Sequence, residues 1–239
     1  SSPQGRFSDG ASILDAQFCE TVEAFGKHLI YRFQNKLALH IHLGLFGRIR
    51  KQPLPLKDPR GAVRVRMACN THFIDINGPT ICEVLDQPGV DALISRIGPD
   101  VLRADSDPEI SFQKIQKSRL PIGRLIMDQS IIAGIGNIYR TEILWRQAIH
   151  PEIPGNAISK QAFDRIWNDA VYLLAIGVKK NAIVTVDNQI ISKKRSRDKY
   201  NIFGKVSCPK CDSVLRRLEI NKRRAFVCDA CQPLPDRIS

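Results

Sequence analysis

No run in this 239-residue sequence approaches the roughly eighteen consecutive apolar residues of a membrane-crossing helix, so no spanning helix and no membrane partner are expected. No internal repeat is evident, which removes repeat architectures. Acidic side chains are in deficit: 24 Asp and Glu stand against 36 Lys and Arg, a formal net charge of +12. With a sequence pI of about 9.6, the chain suits a polyanionic partner, nucleic acid first. A merely soluble basic surface is the plainer alternative. Histidine is sparse, and His28, His40, His42 and His72 show no metal-ligand spacing, so they read as structural or phosphate-facing. A dinucleotide fingerprint is missing too. Gly134 and Gly136 have no third glycine at the required spacing, where Tyr139 stands, and no strand precedes them.

What is present starts with cysteine. Cys208-Pro209-Lys210-Cys211 and Cys228-Asp229-Ala230-Cys231 are separated by residues 212–227. Two such pairs can set four thiolates tetrahedrally around one structural Zn2+. Within the spacer, residues 214–220 read as one strand and 225–227 as the start of its return, with Asn221, Lys222, Arg223 and Arg224 at the tip. So small a piece builds no core of its own, so the metal would hold this cationic fingertip rigid. The tip is either functional or simply solvated. Cys19, Cys69 and Cys82 lie in apolar or strand-like pattern and read as buried thiols. Zinc thiolates beside free thiols fit a reducing cytoplasm.

Hydrophobic residues make up 43% of the chain, enough to fill one large or two ordinary domains. The first half is β-rich, with strand candidates at 26–33, 37–43, 61–67, 73–76 and 81–85. Val63-Arg64-Val65-Arg66-Met67 alternates strictly, as a strand buried on one face does. Breaks at 52–60 and 77–79 separate these runs in the manner of an antiparallel sandwich or barrel. Helical periods begin near Asp91. Asp107-Pro108-Glu109 combines an N-cap, proline at N1 and an acid in the first turn, and this helix runs towards Lys117. A second helix is expected over 120–129, a third after Asn137 through Gln147, and a fourth capped by Ser159 and stopped at Gly177. Residues 179–205, with Lys193, Lys194, Arg195, Arg197 and Lys199, read as a basic loop and linker.

Three stretches carry candidate chemistry. Gly134-Ile135-Gly136-Asn137 lies between two helices; its glycines allow a phosphate to approach the backbone, with Asn137 as a further donor. A tight interhelical turn is the bland alternative. His42-Leu43-Gly44-Leu45-Phe46-Gly47 follows a strand, so Leu45 and Phe46 either stand exposed, able to wedge between stacked bases, or fold inward. Lys27, in Gly26-Lys27-His28-Leu29, is a solvated flank unless a phosphate or an imine lies nearby.

Taken together, Met127-Asp128-Gln129, Ala133 through Arg140, Glu142-Ile143-Leu144 and the four cysteines resemble the bacterial formamidopyrimidine-DNA glycosylase and endonuclease VIII family. The resemblance covers nearly the whole chain. It implies an α+β multidomain fold: an N-terminal antiparallel β-sandwich over 1–104, a helix–two-turn–helix domain with the basic loop over 105–204, and a zinc-ribbon hairpin over 205–239. It further implies two lobes with damaged double-stranded DNA in the cleft between them, a monomer, and a cytoplasmic protein of the bacterial nucleoid. Asn137 matches the asparagine that grips a phosphate beside the lesion. Arg223 matches the finger arginine that grips the backbone and assists elimination, with Arg224 as the neighbouring alternative. Lys27 matches the strand lysine near the opened sugar. Arg96 and Arg119 resemble further DNA contacts, and Leu45 and Phe46 fall at the wedge. The purine-lesion branch carries an Asp-Pro-Arg-Arg-Phe-type loop where this chain reads Asn77-Gly78-Pro79-Thr80-Ile81-Cys82, so the sequence leans to endonuclease VIII and oxidised pyrimidines.

The family's reaction uses a leading Pro-Glu pair. The proline amine displaces the damaged base at C1′ and forms an imine, which then drives β-elimination and often δ-elimination. This sequence opens Ser1-Ser2-Pro3-Gln4, like material lying after the family's first helix and strand, so the expectation is that the leading segment precedes it. The expected activity is bifunctional glycosylase and abasic-site lyase in base-excision repair. A damaged-DNA-binding protein without catalysis is the alternative. An RNA-binding zinc-ribbon protein is a third reading, which leaves Asn137 and the Leu45-Phe46 loop unexplained together.

Overall fold

The computed structural model describes residues 1–186 and 199–234. The chain divides into two units, Ser1–Arg96 and Ile97–Ser239. The architecture is α+β.

In the first unit a short helix α1 (Ser8–Ile13) precedes seven strands: β1 (Cys19–Phe25), β2 (His28–Phe33), β3 (Ala38–His42), β4 (Arg48–Pro53), β5 (Val63–Ala68), β6 (His72–Asn77) and β7 (Ile81–Leu85). They form two antiparallel sheets, ordered β1-β2-β3-β7 and β4-β6-β5. Alternation along each strand sends Tyr31, Phe33, Leu39 and Ile41 of the first sheet against Val65 and Ile76 of the second, which is a β-sandwich core. Arg66 and Asp75, opposite one another on β5 and β6, form a buried two-pronged ion pair at 2.6 and 2.8 Å. Helix α2 (Gln87–Ile94) follows, with Asp86 as its cap, accepting from the Gly89 N–H.

Strands β1 and β4 escape the period-two reading because both are sheet edges. Each is largely exposed, so neither has an apolar alternation to display. Cys69 corrects the reading of the free thiols: it is exposed at the turn before β6, while Cys19 and Cys82 are partly covered.

The second unit contains α3 (Pro108–Gln116), α4 (Ile122–Leu125), α5 (Asn137–Arg146) and α6 (Lys160–Lys180). Asp107 and Ser159 cap α3 and α6 by accepting from Glu109 and Ala162 N–H groups. Ile122, Ile126, Ile132, Ile135, Ile143, Phe163, Ile166 and Ala170 make the common core. The helix expected over 120–129 contracts to the single turn α4. Asp128 Oδ1 accepts from both the N–H and the hydroxyl of Ser130, and this local turn replaces the helical ladder. Gly177 is not a stop. α6 runs on to Lys180 and ends on Asn181 in the left-handed region, φ 46°. Glycine is needed at 177 for another reason: a Cβ there would lie 2.1 Å from Tyr139 Oη.

Strands β8 (Arg216–Ile220) and β9 (Arg223–Val227) form the C-terminal hairpin. Asn221 and Lys222 alone make its turn, at φ 52° and 58°, the double left-handed geometry that suits strand twist. Arg223 and Arg224 therefore belong to the returning strand and not to the tip. No helix among the described residues is long and apolar enough to cross a membrane.

Candidate nucleic-acid interface

The four cysteine sulfurs of 208, 211, 228 and 231 lie within 4.8 Å of one another. Separations are 3.8 Å for Cys208–Cys231, 3.5 Å for Cys211–Cys228 and 3.4 Å for Cys211–Cys231. A thiolate tetrahedron with metal–sulfur bonds of about 2.3 Å has sulfurs about 3.8 Å apart, so this quartet could hold a metal ion. Hydrogen bonding from Ser213 draws the Cys211 thiol down to about 6, and Cys228 adds to it, which favours the ligating thiolate. The Trp145 indole N–H, 3.4 Å from Cys208 Sγ, and the Lys210 ammonium over the Trp145 ring tie the quartet to α5. Arg216 grips Asp229 with two bonds and reaches His150 Nε2 at 3.2 Å, while Gln232 donates to the Ile149 carbonyl.

Asn137 begins α5. Its Nδ2 donates to the Arg224 carbonyl in β9 at 3.0 Å, and its Oδ1 accepts from Arg140 Nη2 at 2.5 Å. Arg140 Nη2 also reaches the Arg224 carbonyl at 3.2 Å, and Nη1 reaches the Gly123 carbonyl. This guanidinium is fully buried, and its Nε has no partner. Burial, seconded by the charge of Arg223, pulls Arg140 down to about 10. The turn before α5 hangs on Gln129. Its side chain donates to the Met127 and Ile135 carbonyls and accepts from Gly134 N–H, each at 3.0 Å. The first N–H groups of α5 have no acceptor within the helix, as at every helix start, and a helix start of this kind can receive an anion. Arg223 and Arg224 are exposed on the strand that Asn137 bonds.

Glu142 is wholly buried. Its two carboxylate oxygens accept from Thr185 Oγ1, from the N–H groups of Asn201, Ile202 and Phe203, and from Asn201 Nδ2, at 2.6 to 3.0 Å. It thereby pins both ends of the chain segment that leads into the hairpin. Lys193, Lys194, Arg195 and Arg197 of the expected basic loop lie outside the described residues. Arg119 is exposed in the connection between α3 and α4.

In the first unit, Leu45 and Phe46 are 74% and 84% exposed on the loop after β3. Gly44, at φ +67°, allows the pinch below them: a Cβ there would sit 1.9 Å from Thr80 Oγ1. Lys27 is exposed in the turn joining β1 and β2, and its charge is felt at His28 and His42. Arg96 closes α2, its Nε donating to the Ala92 carbonyl, and its charge also reaches His28.

Sequence reasoning assigned no role to Arg140, Glu142 or Gln129, although all three stand in the quoted motifs. For Arg140 and Glu142 the available signal was a charged side chain in the run Ile138-Tyr139-Arg140-Thr141-Glu142-Ile143, since such a group stays buried only when its bonds are met; Gln129, between Asp128 and Ser130, carried none.

The Formamidopyrimidine-DNA glycosylase H2TH domain model matches residues 97–188. Endonuclease 8 1 of Mycobacterium tuberculosis (strain ATCC 25618 / H37Rv) is 39% identical over 242 residues, covering 97% of this chain and 90% of the relative. Formamidopyrimidine-DNA glycosylase of Chloroflexus aurantiacus is 26% identical over 229 residues, covering 93% of this chain and 82% of the relative. Among solved structures, Lactococcus lactis Fpg in complex with abasic-site DNA superposes with a TM-score of 0.78 at 21% identity, over 95% of this chain and 87% of that one. The same protein with DNA containing Fapy-dG gives 0.79 at 22%, with the same coverage.

Proposed function

The chain belongs to the formamidopyrimidine-DNA glycosylase and endonuclease VIII family, and from that premise we propose that it is a base-excision repair enzyme, a DNA glycosylase with abasic-site lyase activity on oxidised pyrimidines. The observation that carries this reading is the Asn137–Arg224 bond. It ties the start of α5, with its unpaired first N–H groups, to a strand bearing two exposed arginines, a combination suited to a sugar–phosphate chain.

The residues divide the work by chemistry. Arg223 and Arg224 supply guanidinium groups for phosphate oxygens. Asn137 spends its amide on the hairpin, so it acts by holding the α5 terminus in place and by its own backbone N–H. Lys27 and His42 offer donors to a phosphate or the opened sugar at the β2–β3 end of the first sheet. Leu45 and Phe46 fill the space that an extrahelical base leaves. Arg96 and Arg119 add backbone contacts. The quartet of cysteines holds Zn2+, which supplies rigidity alone, because four thiolates leave no open position for a water or substrate. Imine formation at C1′ belongs to the family's leading Pro-Glu pair, and the residues described here supply the grip that presents the sugar to it. The partner is damaged double-stranded DNA bound by a monomer, in the bacterial cytoplasm at the nucleoid.

The test is borohydride trapping of the full-length protein on a duplex with a single abasic site. A covalent adduct together with strand cleavage is the expected result. Tight binding with neither adduct nor cleavage identifies the non-catalytic damaged-DNA binder instead.

A further inference from the structure

Four polar side chains share one face of the first sheet. Register sets His28 opposite His42 on β2 and β3, and His40 opposite Glu83 on β3 and β7. Period two places all four on the face turned away from Leu39 and Ile41 in the sandwich core. His40 is 1% exposed at its side chain, and Glu83 is half-exposed. Two bonds run through them. His40 Nδ1 meets Glu83 Oε1 at 2.9 Å, and His40 Nε2 meets His28 Nδ1 at 2.9 Å. The His28 ring packs on both neighbours, with centroids 5.1 Å from His40 and 4.8 Å from His42.

The carboxylate dictates where the protons lie. Glu83 can only accept, so His40 carries its proton on Nδ1. Neutral His40 then has a bare Nε2 and must accept from the Nδ1–H of His28. Neutral His28 is left with a bare Nε2, a base held in place by its partly buried bond to His40. A proton arriving at that Nε2 lets the Nδ1 proton of His28 pass to His40 Nε2, and the resulting imidazolium rests against Glu83. Charge gained at one end is thus met by a carboxylate at the other.

Burial opposes that gain in the free protein, and so do the groups facing His28: the imidazoles of His42 and His40 on β3, Lys27 of the β1–β2 turn and Arg96 at the end of α2. Burial first, then these neighbours, hold His28 down to about 4, and burial followed by His40 and Lys27 lowers His42. An anion seated at Lys27 and His42 offsets the charge repulsion, adds a counter-charge against the cost of burial, and leaves the link to Glu83 intact.

We propose that Glu83, His40 and His28 form a proton relay that couples phosphate capture at Lys27 and His42 to uptake of a proton by the imidazole pair. The inference rests on the DNA-binding reading and deepens it. The sign follows from linkage. The folded, free protein has a depressed His28, and bound phosphate raises it, so affinity grows as pH falls through the bound value and levels off below the free value of about 4.

Calorimetric titration of the full-length protein with a duplex carrying a tetrahydrofuran abasic analogue tests this, run near pH ~6 in two buffers of different ionisation enthalpy. Wild type takes up more protons than His28→Gln, by a fraction approaching about one. Glu83→Gln keeps the acceptor for His40 but removes the counter-charge, so its uptake moves to lower pH while its binding at neutral pH stays near wild type. Because Glu83 is half-exposed, this variant reads the relay even where His28→Gln fails to fold. Equal proton uptake in wild type and both variants, with binding intact, overturns the relay and leaves the DNA-binding reading standing. Failure of the wild type to bind the duplex at any pH overturns that reading and the relay with it.

Discussion

Asn137 at the head of α5 donates its amide to the Arg224 carbonyl of β9 across 87 residues of sequence, at 3.0 Å, and the same amide oxygen accepts from buried Arg140. One side chain thus joins a helix start, a hairpin strand and a desolvated cation.

Removing that side chain separates two roles. Asn137→Ala strips Arg140 of a partner in a site where its Nε already has none, and should cost about 1–3 kcal/mol of stability in thermal or denaturant unfolding. Asn137→Asp keeps the acceptor for Arg140, gives up the donor to the Arg224 carbonyl and sets a negative charge beside incoming phosphate. It should cost less stability than Asn137→Ala and lose most of the DNA affinity, read by fluorescence anisotropy. Equal damage to both properties in Asn137→Asp would leave the residue with a packing role only.

Arg223 is exposed, and its charge reaches Arg140 from β9. Arg223→Ala should weaken binding to all duplex sequences alike and flatten the log–log salt dependence by about one unit. An unchanged slope removes Arg223 from the phosphate contacts.

The hairpin packs Leu215 and Phe226 against Trp145 and Ile202, and Cys208, Cys228 and Cys231 are part of that same small cluster, so loss of a metal held by the four cysteines would open it. Chelation of a metal held by the four cysteines, or Cys211→Ser, should unfold residues of β8 and β9 and abolish DNA binding. Far-ultraviolet circular dichroism and anisotropy follow the two losses together. DNA binding that survives with the metal gone means the hairpin does not read DNA.

Leu45 and Phe46 touch little in the free protein, at 74% and 84% exposure. Replacing both by alanine should change stability by no more than about 0.5 kcal/mol. Incision at a damaged base should fall while binding to an abasic site, where no base needs displacing, falls less. Unchanged incision kinetics on both substrates would show that the loop tip is not a wedge.

Local rules made much of this molecule legible. Asp107 and Ser159 announced their helices because a capping oxygen acts on N–H groups only two or three residues away. The cysteine quartet was readable because two tight turns carry its geometry. Edge strands β1 and β4 were not legible, since an exposed edge needs no apolar alternation. Helix α4 was over-read for the opposite reason: apolar spacing continued while the Asp128 side chain had already ended the ladder. Leu45 and Phe46 were ambiguous from pattern, because apolar residues between glycines serve an inward or an outward loop equally well; the Thr80 contact beneath Gly44 sends them outward.

By itself, then, the amino-acid order pointed to a polyanionic partner and determined the cysteine quartet, the capped starts of α3 and α6 and the sandwich, because each depends on net charge or on chemistry spanning a few residues. Tertiary structure alone decided that the Asn137 amide is consumed by a distant carbonyl, that Arg223 and Arg224 stand on a strand and not at a tip, and that Glu83, His40 and His28 stand in one line of hydrogen bonds. These are long-range pairings. Their energies exist only once packing has excluded water and brought strands into register, and nothing in the spacing of the residues along the chain encodes which distant partner each will meet.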